Sequence, residues 1–99
     1  MDRIYVKNPD VVFRKIADEY ILVPIRRKVG DLESIYTLNE VSAKVWELID
    51  GKNTVENIKD KICEDFEVNV QEAKYDTMQF LKQLGEIEAI ILLSKQKQK

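Results

Sequence analysis

Residues 38–51 read Leu-Asn-Glu-Val-Ser-Ala-Lys-Val-Trp-Glu-Leu-Ile-Asp-Gly and run straight into Lys52-Asn53-Thr54-Val55-Glu56-Asn57-Ile58. Asn39 is a good helix N-cap, with Thr37 and Glu40 forming a competing capping box. Val41, Val45, Leu48 and Ile49 recur at helical spacing, with Trp46 beside them. Gly51 offers the left-handed residue that ends a helix. Thr54 then caps a second helix, whose apolar stripe is Val55, Ile58, Ile62 and Phe66. Glu67-Val68 breaks it. Asn69, with Glu72 three residues on, opens a third helix with Val70, Ala73, Thr77, Phe80, Leu81 and Leu84 inward. Three short capped helices in 50 residues leave only the preceding half of the chain for a sheet.

That half reads as strands. Val11–Ile16 is β-branched and aromatic, Ala17-Asp18-Glu19 is a turn, and residues 20–25 form a second strand. Pro24 cannot donate to a ladder and belongs near a strand end. A polar connection containing Gly30-Asp31 leads to a third strand at 33–38. Short loops between three strands predict an antiparallel meander. The set is α+β and winged helix-turn-helix-like: a three-stranded antiparallel sheet followed by three helices around one core. Residues 1–10 read as an N-terminal lead-in, 11–93 as a single domain, and 94–99 as a flexible basic tail.

The bulk numbers narrow the function. A 99-residue chain fits one domain, and 44% hydrophobic with 34% charged residues is an ordinary globular balance. A net charge of -2 disfavours a nucleic-acid surface. Neither a membrane-length apolar run nor a signal-peptide core is visible, so a cytoplasmic protein is expected, with no membrane partner. The chain has one cysteine and no histidine, which removes an internal disulfide and the commonest acid–base and zinc arrangements. No phosphate loop, metal-spaced cluster or nucleophile elbow is present, so no cofactor, no metal and no catalytic residues are expected. Cys63 and Trp46 read as packing residues, and Glu64, Asp65 and Glu67 as a solvated acidic face.

Five segments, taken in order, resemble one family: Leu38-Asn39-Glu40, the run from Val45 to Gly51, Thr54 to Ile58, Phe66-Glu67-Val68, and Asp76 with Phe80-Leu81-Lys82-Gln83-Leu84. This is the PqqD-like family, named for coenzyme PQQ synthesis protein D, and the resemblance covers about residues 11–90. It implies a non-catalytic peptide-binding module. Such a domain captures the leader of a ribosomally made precursor peptide and presents it to a modifying enzyme, often a radical SAM enzyme. The leader adds as a strand to the edge of the third strand and lies against the third helix. The family often closes that helix with Gly-Leu-Ile, where this chain has Glu88-Ala89-Ile90. Gly85 then marks an expected early end or a bend.

The residues fit such a groove. An edge strand carries unpaired N–H and C=O groups that template another strand, while side-chain pockets give specificity. Glu33, Ser34, Ile35, Tyr36 and Thr37 are the candidate edge. On the third helix, with Thr77 at the centre of the stripe, Lys74, Met78 and Gly85 fall on one flank, and Tyr75 and Lys82 lie farther round. This flank is the first choice for the groove, and the flank of Asp76, Gln79 and Gln83 the second. Tyr75 and Met78 equally suit a cover over the core's edge. Two other functions use the same parts. One is a winged-helix DNA-binding protein, against which stand Glu72, Asp76, Glu86 and Glu88 among the lysines. The other is a homodimerisation domain pairing its third strands. Monomer and homodimer are both open.

Overall fold

The computed structural model describes residues 2–24 and 36–95. In chain order the elements are β1 (Arg3–Lys7), β2 (Val11–Ile16), β3 (Glu19–Pro24), β4 (Tyr36–Leu38), α1 (Glu40–Leu48), α2 (Val55–Phe66), α3 (Val70–Glu86) and β5 (Ile90–Lys95). The strands β2, β3 and β4 form an antiparallel meander in that order, while β1 and β5 make a separate antiparallel pair. The fold is α+β and winged helix-turn-helix-like, as the element pattern predicts.

The helix starts follow their caps. The side-chain oxygens of Asn39, Thr54 and Asn69 accept from the backbone N–H of Ser42, Asn57 and Glu72, three residues on in each case. At the first helix Asn39 prevails over the competing box. The link between α1 and α2 is a side-chain-built turn. The Asp50 carboxylate accepts from the N–H groups of Asn53 and Lys52, each at 2.9 Å, and those bonds hold its pKa below the usual carboxylate value. Gly51 sits in this turn at φ 81, two residues beyond the Ile49 cap, and its N–H donates to the Tyr5 carbonyl at 3.0 Å. A Cβ there would meet Val6 Cγ1 at 3.1 Å, so glycine is required both by φ and by the approach of β1. The α2 helix stops where Glu67 enters the left-handed region. Cys63, half-buried, donates its thiol to the Val68 carbonyl across that stop.

The core is one cluster. Leu22 and Leu38 of the meander meet Val45, Trp46 and Ile49 of α1, Ile58 and Ile62 of α2, and Phe80, Leu81 and Leu84 of α3. Val70 departs from its expected inward place and is 55% exposed, because it opens α3 one turn before the first buried position, Ala73.

Two further expectations change. Within the lead-in, Arg3–Lys7 is a strand, and the chain after α3 returns as β5 rather than ending in helix and tail. The pairing runs from Arg3↔Lys95 to Lys7↔Ile90, with a bulge at Ile4/Tyr5. The two strands lie at opposite ends of the sequence, so neither shows a local partner. Ser94 and Lys95 thus belong to β5, and 96–99 lie outside the described residues. The α3 helix also neither stops before Gly85 nor ends on it: it reaches Glu86, with Ile87 as cap. Of the third strand, 36–38 are seen as β4, while Glu33, Ser34 and Ile35 lie outside the described residues.

Candidate functional site

The meander's register fixes which side chains share a face, because paired residues in an antiparallel ladder point the same way. Phe13, Leu22 and Tyr36 form one row, and Lys15, Tyr20 and Leu38 the next. Leu22 and Leu38 are buried, so this is the inner face. Among the described residues β4 is the meander's last strand and has β3 as its one neighbour, which leaves its other side as a sheet edge.

Tyr36 ties that edge to α3. Its ring stacks on Phe80 with centroids 6.3 Å apart and planes at 27°, and its hydroxyl donates to Gln83 Oε1. Burial, and then the negative charge of Glu86, raise the phenol above its ordinary value, so Tyr36 remains a neutral donor through the physiological range. Thr37 faces the opposite side and is exposed.

The contact chooses a flank of α3. At 100° per residue from Thr77, Phe80 and Gln83 lie on the same side as Asp76 and Gln79. Tyr36 therefore meets the flank that sequence reasoning ranked second. Lys74, Met78 and Gly85 lie across the buried stripe from it, and Tyr75 and Lys82 farther round. All five are exposed. Gly85 has open space around the position of a Cβ. The sequence pattern places Phe80 in the core and Gln83 on the second flank. A helical wheel defines the stripe but not which side a strand will take.

The arrangement offers hydrogen-bonding main chain, an aromatic wall and an amide side chain, which suit binding. Among the described residues, no group of three or more His, Cys, Asp or Glu could hold a metal ion. Among them, too, no helix is long and apolar enough to cross a membrane.

An α+β module whose last meander strand is, among the described residues, unpaired on one side and held against its last long helix has the form of strand-adding binding domains. Within that class the chain belongs to the PqqD family: the model of coenzyme PQQ synthesis protein D matches residues 19–90. No curated protein matches it. Two solved structures share the fold. TbiB1 in complex with the TbiA(beta) leader peptide is 24% identical, with 93% of this chain and 99% of that one covered and a TM-score of 0.70. A lasso peptide synthetase B1 complexed with the leader peptide is 14% identical, with 88% and 96% covered and a TM-score of 0.73.

Proposed function

We propose that this protein is a recognition element for ribosomally made peptides, which binds a precursor's leader as an added strand on β4 and presents it to a modifying enzyme. The observation that carries this is the β4 edge backed by α3 through Tyr36, in a member of the PqqD family whose structural neighbours are complexes with leader peptides. The leader's main chain pairs with Tyr36–Leu38 and the preceding residues, and its side chains lie against Phe80, Gln83 and Gln79. The domain itself is non-catalytic, and the chemistry belongs to a separate enzyme, a radical SAM maturase in one form of the reading. A pathway of PQQ synthesis and one of another peptide-derived product both fit the family. A few apolar anchors plus edge-strand bonds give affinities near micromolar, about -8 kcal/mol.

The test is a titration with leader peptides encoded by small reading frames beside the gene, followed by backbone amide NMR shifts. Shifts concentrated at Tyr36–Leu38 and along Asp76, Gln79 and Gln83 support the reading. Shifts along Lys74, Met78 and Lys82 instead would move the groove to the other flank. A folded protein that responds to no leader, alone or with its neighbouring enzyme, would sink it.

A further inference from the structure

Where an added strand lies decides what its side chains meet. On the meander's inner face Leu22 of β3 is buried in the core, and its row partner Tyr36 of β4 lies over Phe80 and Gln83 of α3. A strand paired to the edge of β4 that is open among the described residues stands about 4.8 Å farther out. Its inward side chains therefore fall on the part of α3 beyond Phe80, farther round from the buried stripe. At 100° per residue from Thr77, that part carries Asp76, Gln83, Glu72, Gln79 and, at its outer limit, Glu86.

These side chains are carboxylates and amides, with no cation among them. The lysines of the helix, Lys74 and Lys82, lie on the other flank. Asp76 is half-buried and has no hydrogen-bond or ion-pair partner among the described residues. Water is thus partly withdrawn from this carboxylate with no group supplied in its place. Glu86 is four residues from Lys82, a spacing that permits an ion pair, yet the two form none. Its charge acts instead on the Tyr36 hydroxyl, where it adds to the larger effect of burial. Glu86 therefore belongs electrostatically to the Tyr36 side of the helix. Asp76 and Glu86, about 15 Å apart along α3, bracket the contact of Tyr36 with Phe80 and Gln83.

We infer that this slot selects for positive charge: the strand that adds to β4 carries lysine or arginine among its inward residues, which meet Asp76 and Glu86. A strand with carboxylates at those places is rejected by like-charge repulsion. That the natural ligand is a precursor's leader rests on the function proposed above; the charge preference belongs to the slot itself. Long basic side chains suit it, because their apolar stems lie on the Tyr36 ring while their heads reach the carboxylates. Main-chain pairing accepts any extended segment, so the two carboxylates are what separates one leader from another of equal strand propensity.

The experiment titrates the full chain with the synthetic peptide acetyl-Thr-Lys-Thr-Val-Thr-Lys-Thr-amide and with its counterpart bearing glutamates for the lysines. Backbone amide NMR shifts report both place and affinity. The lysine peptide should shift Tyr36–Leu38, Asp76, Gln83 and Glu86, and bind at least about tenfold more tightly than its counterpart at low salt. The margin should shrink as salt is added. The variant Asp76→Asn, Glu86→Gln should lose the preference, and Asp76→Lys, Glu86→Lys should invert it. The amide variant is nearly isosteric, and spectral dispersion reports that each is folded. Equal binding of the two peptides, a preference that survives in the amide variant, shifts confined to Lys74, Met78 and Lys82, or no shift at millimolar peptide would overturn the inference. A leader titration in parallel separates the two readings. A leader that shifts β4 while the peptides show no charge preference removes only the charge selection. The lysine peptide shifting β4 while no leader binds, alone or with the neighbouring enzyme, removes only the leader reading and keeps the cation-selective slot.

Discussion

At one edge of the meander the row Phe13–Leu22–Tyr36 ends in a tyrosine clamped on α3; at the other it ends in a phenylalanine facing a cleft. The same inner face thus meets two different environments. At β4 the ring of Tyr36 is stacked and its hydroxyl is bonded, so the strand is held at a fixed distance from the helix. At β2 the Phe13 ring stacks on Tyr20 of β3, Lys15 lies over Tyr20, and a cleft separates these rings from the helix wall. An edge backed by a helix presents a preorganised slot for a strand. An edge beside a cleft presents a pocket for a side chain. Preorganisation lowers the cost of ordering on binding, and for that reason the leader is assigned to β4.

The comparison can be broken most directly at Phe80. This side chain is almost fully buried and is the wall that makes β4 differ from β2. Phe80→Ala should cost about 3–5 kcal/mol of stability by urea unfolding. In whatever fraction stays folded, leader affinity should fall, because the β4 edge then resembles the open one.

Tyr36→Pro tests the edge itself. Proline removes an N–H and the bonded ring together. Leader affinity should drop at least about a hundredfold, or ~2.8 kcal/mol, with helical circular dichroism retained. Undiminished binding would exclude strand addition at β4.

How far these differences were readable in advance depends on distance along the chain. Asn39, Thr54 and Asn69 announce their helices because a cap acts on an N–H three residues away. The meander is readable for the same reason: β2 and β3 pair across the two-residue turn Ala17-Asp18. The pairing of β1 with β5 is not, since Tyr5 faces Leu92 and nothing local joins them. In hindsight Ile4-Tyr5-Val6 and Ile90-Ile91-Leu92-Leu93 carry strand composition. The site stands between these cases. Tyr36 was legible as an edge residue. Its landing on Phe80 and Gln83 was not, because periodicity fixes the buried stripe and leaves its two flanks equivalent.

The flanks are separated by a matched pair. Gln83→Ala should weaken leader binding about tenfold, ~1.4 kcal/mol, while Lys82→Ala one residue earlier should change it less than about twofold. The reverse result would move the ligand to the lysine side and detach it from Tyr36.

The Tyr36 phenol gives a pH signature for the same contact. Its folded value lies above the ordinary 10.0, first through burial and then through Glu86. The folded state therefore binds the proton more tightly than the unfolded chain. Its contribution is complete below pH ~10 and is lost as pH rises through the folded value. A phenolate also has no proton to give Gln83. Urea unfolding from pH 9 upward should show a fall in stability that Tyr36→Phe reduces.

The smallest effect sharpens the comparison from the far side of α3. Gly85 lies within the helix, outside the positive-φ region, and a Cβ there would meet no heavy atom within 4 Å. Neither sterics nor backbone shape demands glycine, which leaves only its entropic cost. Gly85→Ala should therefore stabilise the protein by about 0.5–1 kcal/mol, raising Tm by roughly 4 °C. Leader affinity should not change, because the added methyl points away from the flank that carries Phe80 and Gln83. If stability rises as expected and affinity falls, a ligand backbone must pass close to Gly85, and the slot beside Tyr36 is not where the leader lies.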